Sequence, residues 1–329
     1  MEPLVILGAT ATGKSALALH LAEELGGEIV NADALQVYRG FDIGTGKPTA
    51  AERRRVPHHL LDILDPDQPL SAGEFARRAR ATVAEVQARG RLPLVVGGSG
   101  LYLRALLAGI SAMPAIDPRL RAWLAAARRR QGLPALRRWL DVLDPGAALR
   151  TRPADSQRTL RALELALGSG RPQGWWTARQ PFAPGAFTAR RVGLTLPRDL
   201  LYDRIAGRVS AMVAAGWVGE VENLLHAGWD PGLPAFQAIG YRQLAQHVRG
   251  RIALDQAVEE TIRATRRYAK RQSTWFRREP DVAWFQADDA GAASIRVLHF
   301  LQNSGGRLHG QACDQHPGRF PLPEPQGGA

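Results

Sequence analysis

Apolar residues follow two rhythms along this chain. Near the N-terminus, short unbroken apolar runs alternate with amphipathic stretches of helical length. Leu4-Val5-Ile6-Leu7 reads as a buried strand closed by Gly8, and Ala16 to Leu25 as a helix stopped by Gly26-Gly27. Glu28-Ile29-Val30 begins a second strand that runs out at Asn31-Ala32-Asp33. Ser71 and Glu74 have the spacing of a capping box for a helix reaching about Arg89. Leu92 to Val96 is a third strand, closed by Gly97-Gly98, and Tyr102 to Leu107 the next helix. Strands alternating with helices predict an α/β fold: a parallel sheet covered on both faces, with ligands at the carboxyl ends of the strands.

From about Pro114 to Arg190 the rhythm is helical only. Asp155 is placed to cap a helix ending at Gly168, with Leu160, Leu163 and Leu167 on one face. Val192 to Leu196 reads as a strand again, so 114–190 is expected to be a helical insertion in a discontinuous core of 1–113 and 191–301. A long helix then buries Leu201, Ile205, Val209 and Met212, another spans roughly Leu254 to Arg278, and Val282 to Phe285 resembles an edge strand. Residues 302–329, rich in Gly and Pro without periodicity, read as a disordered tail.

Composition narrows the class. The chain has 329 residues, which at about 150 per domain argues for two compact units. Basic residues number 43 against 31 acidic, a formal charge of +12. That balance points to a polyanionic partner, nucleic acid being the commonest, although an arginine-rich composition alone produces it too. The single cysteine, Cys313, excludes a disulfide framework or a Cys-based zinc site. No apolar run approaches the ~18 residues of a membrane span, and no basic leader precedes the first strand. A protein of the cytoplasm, working as a monomer, is expected.

Gly8, Ala9, Thr10, Ala11, Thr12, Gly13, Lys14 and Ser15 fit the pattern G-x-x-x-x-G-K-[ST] between a strand and a helix. Such a loop turns backbone N–H groups inward, and the helix start adds partial positive charge. Lys14 then reaches terminal phosphates and the Ser15 hydroxyl ligates Mg²⁺. Asp33, at the end of the second strand, is placed as a base or as an outer partner of the metal, unless it merely caps a turn. Gly97-Gly98-Ser99 ends the third strand without the carboxylate usual in motor and switch NTPases. A small-molecule kinase stays open, as does a non-catalytic, nucleotide-gated RNA-binding protein.

The cradle is followed by further segments in a fixed order: Asp33 to Gly40, Asp42 to Pro48, Val56 to Leu60, Gly97 to Tyr102, Ala238 to Arg242 and Tyr268 to Arg277. Together they resemble the tRNA dimethylallyltransferase (tRNA isopentenyltransferase) family over most of the chain. The resemblance implies a P-loop-like core and transfer of a dimethylallyl group from dimethylallyl diphosphate to an adenosine N6. That adenosine lies immediately 3′ of the anticodon in tRNAs reading codons that begin with U. It further implies Asp33 as base, Ser15 as Mg²⁺ ligand, and Lys14 with Arg204 neutralising pyrophosphate in a donor site of Gly8 to Ser15. For the tRNA anticodon stem-loop it implies contacts from Asp33, Ala34, Leu35, Gln36, Ser99 and Arg121. Gln157, Arg158, Thr159, Leu160 and Arg161 would add to these, as would Gln237, Ala238, Ile239, Gly240, Tyr241 and Arg242. Ala9, Ser15, Ser99 and Ala34 depart mildly from the residues usual there.

Arg263, Arg267, Lys270, Thr274 and Arg277 recur at three- and four-residue steps and so share a helix face. A solvated basic face has the same pattern, but the resemblance makes it, with Arg128 to Arg130 and Arg137-Arg138, a tRNA backbone contact. His58 and His59 follow Pro57 on what reads as a loop, where packing or hydrogen bonding is favoured over metal binding.

Overall fold

Unbroken apolar runs suit strands covered on both faces, and that is where they lie. In the computed structural model, which describes residues 1–111, 113–179, 187–287 and 289–303, strand β1 spans Leu4–Gly8. Its Leu4 and Ile6 enter one apolar layer, while Val5 and Leu7 enter the other. The chain continues through α1 (Lys14–Leu25), β2 (Gly27–Asn31), α2 (Ala50–Arg55), β3 (His58–His59), α3 (Ala72–Ala88), β4 (Leu92–Gly97) and α4 (Gly100–Ala108). Four helices follow: α5 (Pro118–Leu143), α6 (Pro145–Arg150), α7 (Ser156–Ser169) and α8 (Gln173–Arg179). Then come β5 (Arg190–Thr195), α9 (Arg198–Ala214), α10 (Trp217–His226), α11 (Tyr241–Val248), α12 (Leu254–Phe276), β6 (Ala283–Gln286) and α13 (Ala290–Asn303).

All strand pairs are parallel, in the order β3-β2-β4-β1-β5-β6. Residues of α1, α9 and α13 pack on one face and of α3 and α4 on the other. A third apolar cluster joins the loop residues Val37, Tyr38, Phe41 and Leu64 to α9, α10, α11 and α12. The helices between α4 and β5 close on a cluster of their own, built on Leu124, Leu136, Leu140, Ala162 and Leu163. α5 is broken at Gly132 (φ 75°), two residues before Pro134.

Several expectations change in detail. Ser71 Oγ accepts the Glu74 N–H, but the Glu74 carboxylate pairs with Arg77 and Arg78 instead of closing the capping box. The complete box is at Thr49 and Glu52. In α7 the buried face is Thr159, Ala162, Leu163, Leu165 and Ala166, leaving Leu167 exposed, because the helix packs by its small residues. Met212 is only partly buried. His58 and His59 form an edge strand on β2, held by His59 Nε2 against Glu28 Oε2 at 2.7 Å. The last helix runs to Asn303, two residues into the expected tail; the remainder of that tail lies outside the described residues.

One carboxylate ties the third cluster to the sheet edge. Glu220 of α10 accepts the N–H groups of Asp42 (2.9 Å), Ile43 (2.6 Å) and Gly44 (3.3 Å) and the Tyr241 hydroxyl (2.6 Å). Beside it, the Trp217 indole fills the space where a Cβ on Gly44 or Gly240 would stand, at 2.0 and 1.9 Å. Only glycine permits that approach, and Gly240 also needs its φ of +92°. Glu220→Ala leaves a buried hydroxyl and loop amides without acceptors, so the expected loss is about 2–3 kcal/mol. Urea unfolding measures it; an unmoved midpoint contradicts this role.

Candidate functional site

Between β1 and α1 the chain turns back on itself through Gly8 to Gly13. Gly8 adopts φ 149°, and a Cβ there would stand 2.6 Å from Leu194 O on β5. Ala11 and Gly13 take positive φ values of 64° and 91°. The Thr12 hydroxyl donates to Ala9 O at 2.9 Å, and Lys14 Nζ folds back onto the same carbonyl at 2.6 Å. α1 starts without a side-chain cap, so its first N–H groups face out of the loop, where an anion can take them. Ser15 is exposed at this helix start.

Parallel pairing brings the ends of β2 and β4 beside this loop. Asn31 Oδ1 accepts the Asp33 N–H at 3.0 Å, and Asp33 Oδ1 accepts the Leu35 N–H at 2.8 Å. Asp33 therefore caps a turn, and it also lines the cavity. Ser99 Oγ accepts the Ala34 N–H at 3.2 Å. Gln36 Nε2 donates to Thr45 O and Gly46 O at 3.2 and 3.1 Å. Behind that loop, buried Lys47 reaches Asp42, Asp62 and Tyr38 O at 2.5, 2.5 and 2.7 Å.

These pieces enclose a cavity of about 370 Å³ lined by Thr10 to Ala11, Gly13 to Ser15, Asp33, Gln36, Thr45, His58, Arg208, Tyr268 and Gln272, among others. Burial pushes the Lys14 ammonium down to about 7; the charge of Arg208 adds to the depression and Asp33 opposes it. The Arg208 guanidinium is itself lowered by burial and raised by Asp33. Burial raises the Tyr268 phenol, and Asp33 adds to that shift. Two cations thus face one carboxylate in a poorly solvated space, an arrangement that favours an incoming polyanion.

Arg204 does not line this cavity. It stands one helical turn, about 6 Å, before Arg208 on α9 and lines a separate hollow with Thr12, Gly13, His20 and Ala287. Arg208 lines the Lys14 cavity instead, its guanidinium standing 2.0 Å from where a Cβ on Gly46 would be; no pattern in the sequence singles it out. A third cavity, about 690 Å³, opens across the loop among Gly8, Ala9, Leu196, Tyr202, Lys270 and Phe276.

Of the residues expected to touch RNA, three are buried: Thr159, Gly240 and Tyr241. Tyr241 is fully buried with its hydroxyl on Glu220, and Thr159 is fully buried with its hydroxyl on Asp155 O at 2.8 Å. Gln157, Arg158, Gln237 and Arg242 are exposed, while Leu35, Leu160, Arg161, Ala238 and Ile239 are half-buried and Gly240 is covered by Trp217. Arg121 and Arg161 converge on Glu164 at 3.4 and 2.9 Å. On α12 the expected face forms: Arg263, Arg267, Lys270, Thr274 and Arg277 are all exposed.

A strand–loop–helix cradle with an enclosed lysine, a hydroxyl at the helix start and a carboxylate on the neighbouring strand end marks the fold as a P-loop-like α/β protein. Its particular kind follows from its relatives. The model of the IPP transferase family matches residues 36–279, and the chain belongs to that family. A tRNA dimethylallyltransferase of Syntrophobacter fumaroxidans is 48% identical over 295 residues, covering 90% of this chain and 86% of that one. One from an Anaeromyxobacter species is 51% identical over 290 residues, covering 87% and 96%. The crystal structure of a tRNA isopentenylpyrophosphate transferase from Bacillus halodurans superposes with a TM-score of 0.67 at 38% identity, covering 92% of this chain and 96% of that chain.

Lysine reacts with acylating reagents only as the neutral amine. With a midpoint of about 7, Lys14 should be labelled ahead of exposed Lys270 and buried Lys47, at a rate that climbs through neutral pH. Pyrophosphate should block it. Peptide mass spectrometry after a brief pulse reads this, and Lys14 labelling no faster than Lys270 contradicts the depressed value.

Proposed function

We propose that this chain transfers a dimethylallyl group from dimethylallyl diphosphate to N6 of the adenosine immediately 3′ of the anticodon in tRNAs reading U-starting codons. The observation that carries the reading is the sharing of one cavity by Lys14, Ser15, Asp33 and Arg208. The N6 lone pair forms a bond to the allylic carbon as that carbon's bond to the diphosphate oxygen breaks. Asp33 accepts the proton released from N6. Charge grows on the departing pyrophosphate, so Lys14, Arg208 and the N–H groups at the start of α1 stabilise the transition state more than the bound donor. In this reading Arg208 takes the part expected of Arg204.

The donor set suits Mg²⁺. The Ser15 hydroxyl, exposed at the start of α1, would offer Mg²⁺ one hard oxygen, and oxygens of the diphosphate and water would supply the rest. When bound, it supplies charge neutralisation on the phosphate oxygens.

Recognition of the RNA falls to the rims of the cavity. Ala34 to Gln36, Ser99 and the 237–242 segment stand near the acceptor base, Tyr241 acting through Glu220 rather than by contact. Arg158 of α7 and the exposed arginines of α12 meet the phosphate backbone, so binding weakens steeply with salt. The target adenine leaves its stack to enter, which a single-stranded loop makes inexpensive. No helix among the described residues is long and apolar enough to cross a membrane, and tRNA places the work in the cytoplasm.

Incubation with labelled dimethylallyl diphosphate and unmodified tRNA should move label to the RNA with release of pyrophosphate. ATP turnover without labelling sinks the proposal in favour of a kinase. Asp33→Ala should lower kcat by about 10²–10⁴ while retaining tRNA binding. Arg208→Ala should lower kcat by about 10²–10³, against less than about tenfold for Arg204→Ala. Equal losses in the two arginine variants contradict the assignment.

A further inference from the structure

The capacity of a phosphate cradle is a count of inward N–H groups, and one of them is already taken. The Thr10 N–H donates to Gln272 Oε1 at 2.9 Å, across 262 residues of sequence. Gln272 sits on α12, only 7% exposed, and its Nε2 donates to Gly98 O at 2.8 Å. Tyr268, one turn earlier on α12, hydrogen-bonds the same carboxamide. With one acceptor engaged by Thr10 and the amino group held by Gly98 and Tyr268, the amide has a single orientation. It also fills the space over β4's end: a Cβ on Gly98 would stand 2.5 Å from Gln272 Nε2.

The ligand's phosphoryl groups occupy the loop from its helix end. Gly13, Lys14 and Ser15 offer the open N–H groups at the start of α1, and Lys14 Nζ can swing from Ala9 O to a phosphate oxygen. Thr10 and Gln272 line the same cavity as Gly13, Lys14 and Ser15, so a phosphate chain held at the start of α1 and lengthening toward Thr10 would meet the Gln272 carboxamide. We propose that Gln272 is a specificity-determining residue that limits the cradle to two phosphoryl groups, so that the protein takes a diphosphate and rejects a triphosphate. The inference rests on the diphosphate reading of the cradle. It explains how a loop whose pattern is shared with triphosphate-binding proteins discriminates against the nucleoside triphosphates that surround it.

Calorimetric titration with inorganic pyrophosphate and inorganic tripolyphosphate, each with Mg²⁺, tests it. The wild-type protein should prefer pyrophosphate by at least about tenfold, despite the greater charge of the longer anion. Gln272→Ala, which frees the Thr10 N–H and the space above Gly98, should lose at least about tenfold of that preference. Gln272→Glu keeps an acceptor for Thr10 and the side-chain volume but not the donor to Gly98 O, and its negative charge disfavours the longer anion further, so it should keep the preference. A role in stability alone would lower the unfolding temperature of both variants without moving the ratio in Gln272→Ala. Parity between the two anions in the wild type overturns the inference, and needs no variant to fold. An unchanged ratio in folded Gln272→Ala does the same. Failure of the wild type to bind pyrophosphate at all removes the diphosphate reading and this inference with it.

Discussion

Parallel pairing makes every strand of this sheet end on the same edge, and the site exists because of that. β1 ends in the cradle, β2 in Asp33 two residues beyond Asn31, and β4 in Gly97-Gly98-Ser99. Neighbouring strands stand only about 4.8 Å apart, so three loops distant in sequence arrive within reach of one small ligand. Hydrogen bonds then fix the loops to each other: Ser99 to Ala34, and Gln272 to both Thr10 and Gly98. An antiparallel sheet of the same strands would scatter these groups to opposite ends. α9 adds Arg208 from outside the sheet, reaching in over Gly46.

Electrostatics in the empty cavity run against the cations. Lys14 is depressed and Arg208 is pushed the same way, with Asp33 alone in opposition. The protein therefore holds two basic groups in a place that disfavours positive charge, and on the proposed function a bound diphosphate would relieve both. Stabilisation of that kind would be set up by the fold before the leaving group acquires its charge. Lys47, by contrast, is fully compensated by Asp42 and Asp62 and serves the architecture of the loop that carries Gln36. Two of the three lysines are thus buried or enclosed for opposite reasons.

How much could be read beforehand depended on whether the information was local. The cradle, Asp33 and the strand alternation are contiguous patterns, and all three lie where the apolar rhythm places them. The exposed face of α12 follows from helical spacing alone. Arg204 and Arg208 are one turn apart on the same side of α9, so residue type and period cannot separate them; only the folded chain shows that they line different cavities. Tyr241 and Thr159 sit inside segments expected to touch RNA, but their hydroxyls turn to Glu220 and Asp155 O, partners decided by packing. His58-His59 is too short a strand to show a period, and the Gln272 amide bond to Thr10 spans nearly the whole chain.

Strand order also governs the life of the nascent polypeptide. β1 is the first strand to leave the ribosome and becomes an inner strand of the finished sheet, flanked by β4 and β5. Its second neighbour, Arg190–Thr195, emerges only after the whole helical excursion has been translated. At about 5–20 residues per second the interval is on the order of ten to forty seconds. Throughout it Leu4 to Leu7 presents an apolar, unpaired backbone edge, the template on which stray chains aggregate. The excursion that carries Arg158 of α7 therefore lengthens the time for which that edge waits for its partner.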